Sequence, residues 1–317
     1  MKVLVLLLVV STSVFSVGAD QHAPIGVMLD HTHQKGELMF SVRHMKMNMN
    51  KLSRHSSEVS TSDYFANSSY MMAPKSMSMD MTMIGAMYGL TDKLTLNLML
   101  GYTSNDMTMI RRMGLTQVDS KSAHLADTKI NALYSVFHNS TDRLILSIGA
   151  ILPTGSIDEK DNGMLLGYPM QTGSGSFGIQ SYLTFIHYLS DFSIGAQFGA
   201  KTYLEDNDED YRVGDFYESS LWLSHSASEN FSTSLRLNQN IQDVFEYDTN
   251  RQMSSAVDFR SLNGQFTTLG LGINYLNTTN LKGHRFAIEY AKQVDSDFSG
   301  YQLQRDETIT IGWQKVL

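Results

Sequence analysis

The sequence predicts an all-β protein: a transmembrane antiparallel up-and-down β-barrel of about 12 strands behind an export signal. Three observations predict it. Apolar and polar residues alternate with period two through long stretches, the connections between those stretches alternate short and long, and aromatic residues gather near stretch ends. No segment of the 317 residues reaches the ~20 apolar residues that a membrane-spanning helix needs.

The chain opens MKVLVLLLVVSTSVFSVGADQ, with Lys2, an apolar run from Val3 to Val10, and small residues ending Val17-Gly18-Ala19. That layout reads as a cleavable secretory signal peptide over 1–19. Residues 20–36 are expected to form a periplasmic N-terminal segment, and 37–317 a single outer-membrane barrel domain. Twelve strand-like stretches follow, at 37–49, 77–90, 93–104, 127–138, 142–153, 176–188, 192–203, 214–226, 230–241, 265–276, 284–292 and 306–317. Most meet the ~9–11 residues that a tilted strand needs to cross a bilayer, whereas strands of soluble sandwiches run nearer ~5–6.

The turns TDK (91–93), NSTD (139–142), LSD (189–191) and ASEN (226–229), with the modest NTTNLKG (277–283), alternate with long connections at 50–76, 105–126, 154–175, 204–213, 242–264 and 293–305. Short turns at one end, long loops at the other and an even strand count bring both termini to the periplasmic side.

Face patterning agrees. Leu94, Leu96, Leu98, Leu100 and Tyr102 alternate with Thr95, Asn97, Met99 and Gly101, and Phe231, Thr233, Leu235 and Leu237 alternate with Ser232, Ser234, Arg236 and Asn238. One face suits lipid and the other a wet lumen. Tyr88, Tyr102, Tyr134, Tyr188, Phe192, Phe231 and Phe286 fall where interfacial girdles belong. The ending ETITIGWQKVL puts Ile309, Ile311, Trp313 and Leu317 on one face, as a strand read by the barrel-assembly machinery would. Lipid and lipopolysaccharide are the expected surroundings. The chain has no cysteine, which excludes disulfides, a lipid-modified N-terminal cysteine and thiolate metal sites. A net charge of −8 argues against nucleic acid. No local pattern selects a nucleophile, base and orienter, so an enzyme is not expected.

The stretch MSMDMTM raises a chemical question. Ile84, Ala86, Tyr88 and Leu90 form a lipid-facing row, so Met77, Met79, Met81, Met83 and Met87 face the lumen. In the first stretch Leu38, Phe40 and Val42 face lipid, which turns Glu37, Met39, Arg43, Met45, Met47 and Met49 inward; Met99, Met107 and Met109 share that parity. Sixteen of the 20 methionines lie between Met28 and Met113.

The expected solute path is Met45, Met47, Met49, Met77, Met79, Met81, Met83 and Met99, with Glu37 and Arg43 as polar partners. Three uses stay open. Thioethers are soft ligands for Cu(I), as ligand or as substrate; they form a deformable slide for hydrophobic molecules; or they fill a barrel whose width lies between side-chain-filled and open. Candidate metal ligands are His31 and His33 of Asp30-His31-Thr32-His33, with Met45, Met47, Met79 and Met81. No resident cofactor is required. Inward parity also collects Asp127, Lys129, Lys201, Glu218, Arg236, Arg285 and Glu289, a polar network or water inside the wall. Two courses stay open for the Gly-rich loop 153–176: folding inward to constrict the pore, or standing exposed.

The segments APIGVMLDHTHQKGELMFSVRHMKMNMN (23–50), MAPKSMSMDMTMIGAMYGLTDKLTL (72–96), ILPTGSIDEKDN (151–162), YPMQTGSGSF (168–177), RVGDFYE (212–218), STSLRL (232–237) and GHRFAIEY (283–290) carry a resemblance. The chain resembles a family of bacterial outer-membrane proteins named for the meta pathway of phenol degradation. The resemblance implies a Gram-negative outer-membrane barrel that moves small molecules. Asn48 and Asn50 depart from the acidic residues associated with this Met run, which lowers the charge a cation site would draw on. The expected function is a channel or transporter for small solutes with a Met-lined lumen, taking soft metal ions such as copper or hydrophobic and aromatic molecules. The alternative is a closed barrel that binds metal or serves a structural role.

Overall fold

The computed structural model describes residues 22–250, 252–277 and 283–317; the signal peptide expected over 1–19 lies outside them. Ten antiparallel strands follow in order: β1 (Leu38–His55), β2 (Met72–Gly89), β3 (Leu94–Arg111), β4 (Thr128–His138), β5 (Asp142–Leu152), β6 (Gly178–Tyr188), β7 (Phe192–Tyr203), β8 (Phe216–Ser226), β9 (Phe231–Gln242) and β10 (Gly264–Asn277). Each pairs with the next in the chain.

The last run, His284–Val316, is 33 residues long. At ~3.3 Å per residue a straight strand of that length would overshoot every neighbour. It doubles back instead. Residues 284–298 pair with β10 while 298–316 pair with β1. Arg285 Nη1 donates to Gln314 Oε1 at 2.7 Å and Trp313 Nε1 to His284 Nδ1 at 3.0 Å. Its arms are two staves, β11 (284–298) and β12 (299–316), so twelve staves close the cylinder where β12 meets β1. The connection expected at 293–305 is therefore mostly ladder.

The first three strands also outrun their expected ends, at 18 residues each. The expected loop 105–126 is largely strand too: Gln117–Leu125 pairs with the upper half of β3, directly above the place where β4 takes over. The reason is on the outer face. Ile84, Tyr88, Leu96, Leu98, Leu100 and Tyr102 are exposed apolar residues, and the tilted row from Leu94 to Tyr102 spans roughly the ~25 Å band of a membrane barrel. Above that band the alternation persists with polar residues outside. Lys46 pairs with Asp80 at 3.7 Å and Lys121 with Asp106 at 2.6 Å on that outer face. The ladder continues because its inner face stays buried, where methionines such as Met107 stand beside the hydrogen-bonded pair Asn105 and Ser122.

At the short-turn end, Phe231, Tyr275 and Phe286 line up in sequence, as do Phe192 and His225, but Tyr188, expected in this girdle, turns inward and packs with Ile186 and Trp222 against the plug.

Residues 22–33 were expected below the barrel. They occupy its lower mouth instead, with Ala23, Ile25, Val27, Leu29, Asp30, His31 and His33 buried. A buried irregular backbone needs partners for its polar groups, and the lumen supplies them. Arg285 donates to Ala23 O at 2.8 Å, Gln197 to Met28 O at 2.7 Å, Arg43 to Val27 O at 3.5 Å, and His33 N to Thr95 Oγ1 at 2.8 Å. Gly89 makes room for the exit of this plug: a Cβ there would lie 1.9 Å from Gln34 O.

Candidate functional site

The register of β1, β2 and β3 sets methionines directly opposite one another on the inner face. Met45 faces Met81, Met47 faces Met79, and Met49, Met77 and Met107 form a row across three strands. Directly opposed Cβ atoms lie ~4.5–5.5 Å apart, so the thioethers make one continuous wall. It lies mainly in the storey above the apolar belt.

Two infolded loops cover this wall. Met49, Met77, Met107, Met170 and Ala256 form a buried cluster, with Met47, Met79, Met109, Leu166 and Leu303 packed around it. Met170 ends a short 3-10 turn, Tyr168–Met170, that carries Pro169 at its start. Gln171 fastens the turn by donating to Leu166 O at 3.0 Å and Glu159 O at 3.2 Å. Ser174 N and Oγ donate to Asp127 at 2.8 and 2.7 Å. Of the two courses open to 153–176, the structure takes the infolded one at Met170.

The second loop brings Ala256, and it hangs on Asp258. That carboxylate accepts from Tyr70 OH at 2.6 Å, Asn250 Nδ2 at 2.9 Å and Arg260 Nη2 at 2.7 Å. Burial works to raise its pKa, but the bonds from Arg260, Tyr70 and Asn250 outweigh it and hold the carboxyl at about 2. Between the loops and β3 lies a cavity of about 810 Å³, lined by Met72, Met107, Met109, Met164, Leu165 and Val257, with Arg111 and Asp161 as polar lining.

The lower half is different. Gln180 donates to Asn131 and Asn131 to Asn97, at 2.6 and 3.0 Å, and Arg236, Arg285 and Glu289 are buried beside the plug. Lys129, Lys201 and Glu218 line a small cavity of about 70 Å³ with Met28, Leu29 and Met99.

The expected path residues therefore divide. Met45, Met47, Met49, Met77, Met79 and Met81 belong to the upper wall. Met83 opposes Arg43, whose guanidinium holds the plug, and Met99 faces the lower cavity. Glu37 is not a lumenal partner: at the rim it accepts from Gln34 N at 2.9 Å and lies 3.5 Å from His33 Nδ1.

The mixed metal site is also corrected. His33 is level with Thr95 and the foot of β1, while Met45 stands several residues up that strand, ~20 Å along it. His31 and His33 are thus not brought to Met45, Met47, Met79 and Met81. The structure gathers His31 with Asp30 and His22 instead, donor atoms all within 4.8 Å. Burial pushes the His31 imidazole down to about 4, and so it is neutral. The plug escaped sequence reasoning, although the period-two row Ala23, Ile25, Val27, Leu29 was an available signal.

A family model described as "Putative MetA-pathway of phenol degradation" matches residues 94–304. Among solved structures, the COG4313 outer membrane channel from Pseudomonas putida F1 is similar, with a TM-score of 0.65 at 13% identity, covering 91% of this chain and 98% of that one. The β domain of the Bordetella autotransporter BrkA gives 0.49 at 12% identity, covering 89% and 100%. A Pseudomonas aeruginosa FadL homologue gives 0.45 at 9% identity, covering 88% and 90%. No curated protein matches the chain in sequence.

Proposed function

The chain belongs to the family described as the putative MetA-pathway of phenol degradation, and on that premise we propose that it is an outer-membrane channel for hydrophobic small molecules. The long-loop end faces outward and the short-turn end the periplasm, as in other barrels of this kind. One observation carries the reading: the cavity of about 810 Å³ beneath the infolded loops, with its wall of methionine, leucine and valine. Its volume and lining are those of a site that desolvates an apolar molecule and orients it with a few polar groups. Thioethers adapt to solutes of varied shape, and a solved structure of similar fold is called an outer membrane channel.

The test is binding of the apolar probe N-phenylnaphthylamine to the barrel in lipid nanodiscs. Met107→Gln with Met109→Gln replaces two lining side chains by polar ones of similar length. The double variant is expected to weaken binding about tenfold, roughly 1.4 kcal/mol. Unchanged affinity would remove the vestibule from the path.

A second reading draws on the row Met49–Met77–Met107, where three sulfurs share one level. Such a row offers a soft Cu(I) ion its preferred donors. Cu(I) titration of the same barrel, with Met→Leu changes across the row, separates it from the apolar reading.

A further inference from the structure

We propose that the plug carries a binding site for a divalent transition-metal ion of the zinc class, formed by His22, Asp30 and His31. This site is at the opposite end of the barrel from the vestibule and does not depend on what the vestibule passes.

The donor atoms converge. His22 Nδ1 and His31 Nδ1 are 3.2 Å apart, His31 Nδ1 is 2.8 Å from Asp30 Oδ1, and His22 Nδ1 is 3.8 Å from Asp30 Oδ2. Zinc bonds of ~2.0–2.1 Å in a tetrahedron put neighbouring donors ~3.3 Å apart. The three separations scatter about that length. Two imidazoles and one carboxylate also form a common three-ligand zinc set, with a fourth position left for water.

The surroundings hold this geometry. Asp30 Oδ2 also accepts from Ala23 N at 2.8 Å, which ties the two ends of the segment 22–31 together. The His33 ring lies 5.1 Å from the His31 ring and nearly perpendicular to it. Among the described residues, His31 Nε2 and His33 Nε2 are buried with no hydrogen-bond partner. They are not the atoms that would hold the ion, which are the Nδ1 atoms of His22 and His31. Nitrogen and carboxylate donors without sulfur favour zinc-class ions over Cu(I). An ion here closes the loop from His22 to His31 and keeps the plug in its folded shape.

The test is calorimetric titration of the chelator-treated, detergent-purified protein with Zn²⁺. One ion per barrel is expected for the wild type. Asp30→Asn and His31→Gln are expected to lower affinity at least tenfold while heat-modified electrophoretic mobility still reports a folded barrel. Met47→Leu with Met79→Leu should bind as the wild type does. No uptake by the folded wild type, or equal uptake by His31→Gln, overturns the site. Should the variants fail to fold, zinc X-ray absorption of the wild type decides: nitrogen and oxygen neighbours support the site, and sulfur at ~2.3 Å overturns it.

Discussion

Arg236 and Glu289 meet inside the barrel through two parallel hydrogen bonds, Nη2 to Oε1 at 2.6 Å and Nε to Oε2 at 3.1 Å. They reach each other across β10, where Gly270 and Gly272 stand opposite them and offer no side chain. The plug rests on this pair. A Cβ on Gly26 would lie 2.3 Å from Glu289 Oε1 and 2.4 Å from Arg236 Nη2. Both tips are held by each other and neither can yield without breaking the fork.

Gly26→Val should therefore unseat the plug. The expected result is a rise in single-channel conductance in planar bilayers, with barrel folding intact. A variant that conducts like the wild type would mean that the plug does not limit passage.

The ion pair itself yields a second prediction. Removing one partner of a buried pair leaves a charge without compensation, worth ~3–5 kcal/mol, whereas replacing both with apolar residues is often far milder. Glu289→Leu should lower the urea midpoint of the barrel markedly, and Arg236→Met with Glu289→Leu should recover much of it. A double variant that is worse than the single would contradict this account.

The wall was legible in the sequence because strand periodicity is local. Ile84 is 57% exposed and Met77 4%, as their parity required. The plug was not legible, since what buries it is nonlocal: Ala23 is held by Arg285 and Met28 by Gln197, both far along the chain. The separation of His33 from Met45 has the same origin. Parity tells which way a side chain points, but only the seat of the plug fixes its height. The hairpin arms of 284–316 were hidden because polar residues such as Asp295 and Asp297 read as loop while the ladder runs through them.

The loop over the vestibule should release in acid. Asp258 is held at about 2, below the ordinary aspartate value near ~3.9. A depressed carboxylate stabilises the fold fully above its unfolded pKa and loses that contribution as pH falls through the folded one. The window runs from roughly pH 4 down to 2. Pepsin should cut near Phe259 and Leu262 at pH 2 and spare them at pH 4, and Asp258→Asn should be cut at both. Equal cleavage of the wild type at the two pH values would show that another contact holds the loop.

The methionines can be asked directly whether sulfur or softness matters. Met49, Met77 and Met107 are buried in one cluster with Met170, so a change of shape there is felt in packing as well as in chemistry. Leucine keeps the volume and the apolar surface, and such exchanges usually cost less than ~1.5 kcal/mol. It discards the sulfur. The triple Met→Leu variant should keep a wild-type thermal midpoint within a few degrees and bind N-phenylnaphthylamine within about threefold, under 1 kcal/mol. An apolar slide predicts that indifference, because what it supplies is a dry surface that moulds itself to the solute. A soft-ion site shares that outcome for the apolar probe and differs in a second readout: Cu(I) binding disappears with the donors. If the triple variant loses the apolar probe while remaining folded, leucine's stiffer branch is to blame, and the flexibility of the thioether chain becomes the property that the wall was built around.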